Sequence, residues 1–316
     1  MNGDVTGAAP PSWFVRAIAT AGESRFVEVK GCQIHYLRWG NPRRPGLLLV
    51  PASGGHAHWY AHVAPLLADQ FHVVSIDIAG CGDSGRRATY STEQIVEEII
   101  AVCADSGMFE AAMPPVLLGH SGGAQFALRA AIAHDSKLLG VISIDGLRYT
   151  RLAKDNGVAI LDGPRPTPRP AKVYASFGEA VSRFRLSPAP QVPIGHAYIV
   201  DHIARLSYQP VEGGWSLKYD PAQILALTLS LDIKDRLATL RCRAAAVYAQ
   251  HTHIADETVC DALDAVTGGT VPVFVMPETS HYPPIDSPLA FVSVVKALML
   301  SWIAERRRNP DGLSII

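Results

Sequence analysis

Residues Gly119-His120-Ser121-Gly122-Gly123 form a G-x-S-x-G sequence with a single serine at its centre. A short apolar run, 116–118, precedes them, and an alanine-rich segment with helical spacing, 122–134, follows. Small residues on both sides of the serine permit a sharp, strained turn between a strand and a helix. Such a turn raises the hydroxyl above the sheet, and the next amide lies at a helix N-terminus, where it can stabilise an oxyanion. The pattern therefore predicts that Ser121 is a nucleophile.

Length and composition restrict the class of protein. The chain has 316 residues, 48% of them hydrophobic and 18% charged, with a formal net charge of −1. These values suit one large α/β domain with an insertion, and they provide no basic surface for nucleic acid or an anionic membrane. The five cysteines are odd in number and lack C-x-x-C spacing, which is typical of a reducing compartment. Because we find neither a signal peptide nor an apolar run near the roughly 20 residues that cross a bilayer, we expect a cytoplasmic protein.

The pattern of apolar residues predicts the main elements. Alternation around Lys30-Gly31 predicts an antiparallel hairpin over 26–37. Downstream, strands are predicted at 47–50, 72–76, 115–119, 139–144, 244–249 and 271–276, and helices at about 57–68, 92–106, 122–134, 256–266 and 288–306. Alternating strands and helices are typical of a mostly parallel sheet flanked by helices, here with eight strands.

The alternation stops at Gly146, and residues 148–230 are rich in proline with little strand pattern. Two segments in this region, 177–184 and 199–206, have helical apolar spacing. We therefore predict a mainly helical insertion after the sixth strand. The predicted organisation is an N-terminal arm (1–22), a core (23–147 and 231–316) and the insertion (148–230).

A serine hydroxyl needs a base to become nucleophilic. His281 lies between the last predicted strand and the last predicted helix. Loops at the carboxyl ends of parallel strands gather on one side of the sheet, which is also the side of Ser121. This topological position predicts that His281 is the general base.

A third group should orient the imidazole and stabilise its cation. In the loop after strand 244–249, Thr252 stands where a carboxylate would be expected. Asp256 follows closely, but it also suits the N-cap of the next helix. Asp145, at the end of the sixth predicted strand, opens onto the same side of the sheet as Ser121. We favour Asp145 as the acid and keep two alternatives, Asp256 and a histidine without a carboxylate partner.

Two backbone amides should form the oxyanion hole. One is the amide of Gly122. The other should come from the turn after strand 47–50, where Ser53 is our choice and Gly54 the fallback. No metal is predicted, because the histidines at 56, 58 and 62 lack an accompanying carboxylate. No cofactor is predicted, because the glycine-rich loop 77–84 lacks the residue order of a phosphate-binding loop.

Three features together resemble the α/β-hydrolase fold: the G-x-S-x-G stretch, the D-x-x-G-x-G-x-S stretch Asp77–Ser84, and His281 before Asp286-Ser287-Pro288. The resemblance covers about residues 25–305 and implies that 148–230 form a cap, or lid, as in a serine esterase-like subgroup. Two positions depart from the usual pattern: Pro51-Ala52 replaces the His-Gly of the oxyanion loop, and Thr252 replaces the acid. Some families of this fold carry the acid after the sixth strand, as Asp145 would be here.

The expected function is that of a serine hydrolase, of the carboxylesterase or lactonase type, acting on a small, moderately hydrophobic ester, lactone or thioester. Aromatic residues of the insertion line its substrate pocket or form its own small core: Tyr174, Phe177, Phe184, Tyr198 and Tyr208. A C–C bond hydrolase, a lyase, a cofactor-free oxygenase and an inactive ligand-binding homologue remain alternatives. The expected partner is a small-molecule substrate. The sequence leaves the oligomeric state open, and a homodimer is one option.

Overall fold

The computed structural model describes residues 9–147, 170–190, 196–226, 237, 240–255 and 258–309. The strands are β1 (Glu23–Val29), β2 (Cys32–Trp39), β3 (Gly46–Val50), β4 (His72–Ile76), β5 (Val116–His120), β6 (Gly140–Ile144), β7 (Tyr208–Val211), β8 (Gly214–Leu217), β9 (Arg243–Ala249) and β10 (Val273–Met276). The helices are α1 (Ser12–Ala19), α2 (Ala64–Leu67), α3 (Thr92–Asp105), α4 (Gly122–His134), α5 (Phe177–Ser182), α6 (Ala197–Leu206), α7 (Val259–Thr267), α8 (Pro283–Asp286) and α9 (Pro288–Arg308).

Eight strands form one sheet in the order β1-β2-β4-β3-β5-β6-β9-β10. The hairpin β1–β2 and the pair β2–β4 are antiparallel, and all other neighbours are parallel. The predicted fold class, a mostly parallel eight-stranded sheet flanked by helices, is confirmed. The chain order reverses at β3, so the carboxyl ends of β3 and β5 are adjacent, which is where sheets of this type place their ligands.

The central strands are buried on both faces, which explains their continuous apolar sequences. In β3, Leu47 and Leu49 pack on one side with α2 and α9, whereas Leu48 and Val50 pack on the other with α3, α4 and α7. The side chains alternate because successive residues of a strand point to opposite faces. Two helical layers therefore hold the sheet rigid beneath the loops at its carboxyl edge.

The predicted helix over 57–68 is wrong as a single element. The chain instead forms a 3₁₀ turn, Ala57–Tyr60, and the short helix α2. Pro65 explains the interruption, since proline lacks an amide proton and fits only the first turn of a helix.

Between β6 and β9 the structure contains α5 and α6, in agreement with the predicted helical segments, and also the hairpin β7–β8. The hairpin was not predicted, because its strands have only four residues each and one contains Pro210. Its turn depends on Gly213 and Gly214, whose φ angles of 81° and 146° suit glycine.

Helix α9 has 21 residues and is long and apolar enough, by length and composition, to cross a membrane. In the structure it packs against the sheet, and Phe291, Val295 and Met299 are fully buried there. The core helix of a globular domain has the same composition, so this packing accounts for the apolar character of α9.

We expect acid to destabilise the fold through four buried histidines. Burial lowers the pKa of His56 to about 3 and the pKa values of His62, His72 and His120 to about 4. In the unfolded chain each pKa returns to about 6.5, so unfolding takes up protons between about pH 6.5 and 4. The melting temperature should therefore fall as the pH falls through this range, which thermal unfolding at a series of pH values would measure.

His72 provides a matched test of this expectation. It is 1% exposed, and neither ring nitrogen has a hydrogen-bond partner among the described residues. His72→Leu should raise the free energy of unfolding by about 1 kcal/mol at neutral pH and reduce the acid dependence. Burial raises the pKa values of Glu98 and Asp286, so these groups bind protons more readily in the folded than in the unfolded protein. They therefore offset part of the stability that the histidines lose in acid. An acid dependence identical in both proteins would contradict the assignment to His72.

Candidate active site

Ser121 occupies a strained turn between β5 and α4. Its φ and ψ angles are 53° and −121°, a conformation that residues other than glycine rarely adopt. The serine amide donates to the Ile144 carbonyl of β6 at 2.9 Å, which fixes the turn to the sheet. A Cβ atom at Gly119 would lie 2.6 Å from the Ala124 amide nitrogen, so the helix can approach only because this residue is glycine. The turn predicted from the sequence is present.

Three predicted residues lie in one chain of hydrogen bonds. The Ser121 hydroxyl is 2.8 Å from His281 Nε2, and His281 Nδ1 is 2.6 Å from Asp145 Oδ2. A carboxylate only accepts, so the imidazole carries its proton on Nδ1 and presents a lone pair on Nε2 to the serine hydroxyl. His281 is 3% exposed and Asp145 is fully buried, whereas Ser121 is half-buried. The arrangement is chemically able to move the serine proton to the imidazole.

The carboxylate of Asp145 is held from three directions. Besides His281 Nδ1, it accepts the Ala249 amide on Oδ1 at 3.1 Å and the Thr252 hydroxyl on Oδ2 at 2.7 Å. The Asp145 amide donates to the Val247 carbonyl at 2.7 Å, which pins a backbone whose φ angle is 43°. These donors satisfy both oxygens of a carboxylate that is fully removed from solvent.

The structure thus brings Asp145, and not Thr252, against the imidazole, while Thr252 supports Asp145. Asp256, the alternative acid, lies outside the described residues. Sequence reasoning identified Thr252 only as a departure from the usual pattern, because a hydrogen bond across 107 positions of chain has no local signature.

Ser53 and Gly122 are adjacent at the carboxyl ends of β3 and β5. A Cβ atom placed on Gly122 would lie 3.4 Å from the Ser53 amide nitrogen. The Gly55 amide donates to the Ala52 carbonyl at 2.8 Å, and Gly54 has a φ angle of 73°, as in a type II turn with Ser53 at its second position. The Gly54 amide faces the Cys81 thiol, so Ser53 is better placed than the fallback donor.

Buried histidines fix the loop that carries His281. His120 Nε2 donates to the His281 carbonyl at 2.6 Å, and His62 Nε2 donates to the Pro284 carbonyl at 2.8 Å. Burial lowers the pKa of both rings to about 4, so both are neutral donors at physiological pH. Asp286 accepts from the amide and the hydroxyl of Ser280 at 2.8 and 2.7 Å. Sequence reasoning considered His62 only as a metal ligand and assigned no contact in the site to His120 or Asp286, although His120 adjoins the serine.

A second hydrogen-bonded series of a serine, a histidine and an aspartate lies near the β1–β2 end of the sheet. Ser24 in β1 is 2.9 Å from His35 Nε2, and His35 Nδ1 is 2.7 Å from Asp77 Oδ2. Asp77 also accepts the amides of Ala57 and Asp83, so it joins β2 to two loops. Ser24 lies within an extended strand, so no helix N-terminus follows it. We therefore assign the Ser24–His35–Asp77 series a structural role.

His35, Asp77 and Asp83 also form the one group in the described part of the chain that offers three closely spaced metal-ligand atoms. The Asp77 oxygens there accept the backbone amides noted above, and Lys218 Nζ lies 2.6 Å from Asp83 Oδ1. Backbone amides and the Lys218 ammonium group therefore already bond to oxygens of these carboxylates.

The segment between β6 and β9 packs directly on the loop of His281. Tyr282 donates its hydroxyl to the Pro188 carbonyl at 2.8 Å, and it belongs to one buried hydrophobic cluster with Phe14 of α1 and Ile199 of α6. All five aromatic residues predicted for the pocket or core contact rings of the same segment: Tyr174 and Phe184 with Tyr208, Phe177 with Trp215, and Tyr198 with His196. In the described structure these five contribute to the internal packing of the segment, and Tyr198 also contacts Phe14 of α1.

Comparison with known proteins identifies the family of this chain. The alpha/beta hydrolase family profile matches residues 47–294, and the chain belongs to this family. An N-formylmaleamate deformylase of Pseudomonas putida is 34% identical over 121 residues, which is 38% of this chain and 43% of that protein. A fluoroacetate dehalogenase of a Burkholderia species is 30% identical over 129 residues, covering 39% of this chain and 40% of that protein. The matches thus span about two fifths of these curated relatives.

Solved structures show the same fold over most of the chain. The thioesterase domain from the curacin biosynthetic pathway superposes with a TM-score of 0.71 at 21% identity, covering 87% of this chain and 99% of that domain. An E-2-(acetamidomethylene)succinate hydrolase gives a TM-score of 0.70 at 18% identity, covering 88% and 99%. At these identities the likeness establishes the fold and leaves the reaction to the residues of the site.

Proposed function

We propose that this chain is a serine hydrolase that cleaves small, moderately hydrophobic esters, lactones or thioesters through an acyl-enzyme. The observation that carries the proposal is the hydrogen-bonded series Ser121–His281–Asp145 beside a helix N-terminus. Membership of the alpha/beta hydrolase family supports hydrolysis in general, and the residues of the site supply the finer assignment.

In the proposed reaction, Ser121 Oγ attacks the carbonyl carbon while His281 Nε2 takes the hydroxyl proton. The Asp145 carboxylate stabilises the resulting imidazolium. The amides of Ser53 and Gly122 hold the oxyanion of the tetrahedral intermediate. His281 then donates its proton to the leaving alcohol or thiol. A water molecule, activated by the same imidazole, releases the acid from Ser121 and completes the cycle.

A formamide or another amide is the second candidate substrate class. The 34% identity to a deformylase that acts on N-formylmaleamate favours it. The nucleophile would be the same, and only the leaving group would differ, since an amine must be protonated by His281 before it departs.

Labelling and trapping test the proposal. A fluorophosphonate should modify Ser121 alone, as judged by mass spectrometry of peptides. Denaturing mass spectrometry during turnover of short p-nitrophenyl esters, a lactone and an N-formyl amide should show an acylated Ser121. Labelling of Ser121 without turnover of any acyl substrate would favour a lyase or C–C hydrolase, and absence of labelling would favour an inactive ligand-binding protein.

Ser53→Pro provides a sharp test of the oxyanion hole. Proline has no amide proton, and it suits the second position of a type II turn, so the turn should remain. We expect kcat to fall by about 10²- to 10³-fold with little change in KM. Ser53→Ala, which keeps the amide, is the matched control and should stay within a few-fold of wild type in the same ester assay. Equal losses in both variants would show that the amide is not the donor.

A further inference from the structure

The hydroxyl of Thr252 is held in one orientation. Its Oγ1 accepts the Ile254 amide at 3.2 Å, and it lies 2.7 Å from Asp145 Oδ2. Because the amide occupies an acceptor position on Oγ1 and a carboxylate cannot donate, the hydroxyl proton must point at Asp145. Thr252 is therefore a directed donor, whose direction is set by the loop after β9.

Thr252 and His281 donate to the same carboxylate oxygen. Oδ2 of Asp145 receives both the imidazole Nδ1 proton, at 2.6 Å, and the Thr252 proton, while Oδ1 receives the Ala249 amide. The bonds from the Thr252 hydroxyl and the Ala249 amide fix the plane of the carboxylate, so Oδ2 faces the imidazole. The Thr252 bond also withdraws negative charge from the oxygen that stabilises the imidazolium.

We propose that Thr252 is a positioning residue for the reaction, which aligns the Asp145 carboxylate with His281 and shares Oδ2 with the imidazole. The inference rests on the proposed function of Ser121. It accounts for the threonine at the position where a carboxylate is otherwise expected: with the acid at 145, a neutral donor at 252 suits the site, and a second carboxylate would repel it.

The groups facing His281 define what else could affect its pH response. Asp145 and Ser121 bond to its ring, and the rings of His120, His253 and Tyr282 lie 5.2, 4.8 and 5.3 Å away. His120 is neutral, because burial lowers its pKa to about 4, and burial keeps Tyr282 neutral by raising its pKa. His253 is exposed and needs its own control.

The test uses Thr252→Val, which keeps the shape of threonine and removes the hydroxyl, and Thr252→Ser, which restores it. Rates of ester hydrolysis and of Ser121 phosphonylation by a fluorophosphonate are measured from pH 5 to 9. Thr252→Val should lower kcat by about tenfold with KM nearly unchanged, as expected for loss of a hydrogen bond to a charged group. Its acidic limb should move to higher pH, and Thr252→Ser should return both towards wild type. The same displacement in a His253→Gln background excludes His253 as its cause.

Proton NMR provides a readout that does not depend on catalysis. The proton in the short bond between His281 Nδ1 and Asp145 should resonate far downfield and disappear in Asp145→Asn. Thr252→Val should move this resonance further downfield, and Thr252→Ser should restore it. A Thr252→Val protein that matches wild type in rate, pH profile and resonance would overturn the inference and leave the proposed function intact. If wild type neither turns over esters nor labels at Ser121, the proposed function fails, and the resonance alone decides the role of Thr252.

Discussion

Ser121→Ala is expected to reduce kcat for short p-nitrophenyl esters by about 10⁵- to 10⁶-fold, with the protein still folded. The loss is this large because the hydroxyl 2.8 Å from His281 Nε2 is the group that would become acylated. Without it, only the oxyanion donors and substrate binding could assist the attack of water. The residual rate should be measured with purified enzyme beside a blank reaction.

Ser24→Ala is the matched control for this prediction. Ser24 also donates towards a histidine that pairs with a buried aspartate, at 2.9 Å, so it has the same residue partners as Ser121. It lies in β1 and has no helix N-terminus after it, so its loss should leave the rate unchanged. A Ser121→Ala protein with wild-type activity would show that another residue is the nucleophile. Loss of activity in Ser24→Ala would instead indicate that the Ser24–His35–Asp77 series takes part in the reaction.

Asp145→Asn should lower kcat by about 10⁴-fold. Asparagine tolerates the positive φ angle of 43° at this position, so the backbone should be preserved. Its carbonyl oxygen would keep the Ala249 amide as a donor, and its NH₂ group would then face His281 Nδ1. The imidazole would be forced to carry its proton on Nε2, where it could no longer accept the proton of Ser121.

Asp256→Asn separates the two acids that the sequence allows. If Asp145 is the acid, Asp256→Asn should remain within a few-fold of wild type, and only Asp145→Asn should lose the downfield imidazole resonance. A larger loss in Asp256→Asn than in Asp145→Asn would transfer the role of acid to Asp256. Both variants should be compared by steady-state kinetics on one ester.

Much of the fold could be predicted because its information is local. The strand at 116–120, the glycines around Ser121 and the helical spacing of 122–134 define a strand, a turn and a helix from neighbouring residues alone. Topology then placed His281 on the same side as Ser121, since loops after parallel strands share one edge of the sheet. Two elements were predicted incorrectly for local reasons. Pro65 divides a predicted helix, and Gly213 and Gly214 allow a hairpin whose strands are too short to recognise from the sequence.

The sequence by itself determined the class of fold, the strained serine and the position of the histidine along the chain, because periodicity and small residues act through adjacent bonds. Only the tertiary structure decided what surrounds the carboxylate of Asp145. Thr252 and Ala249 reach it from β9 and the loop that follows, and His120 holds the backbone of His281 from β5. Hydrogen bonds between residues more than 100 positions apart depend on the register of neighbouring strands, which no local pattern of residues encodes.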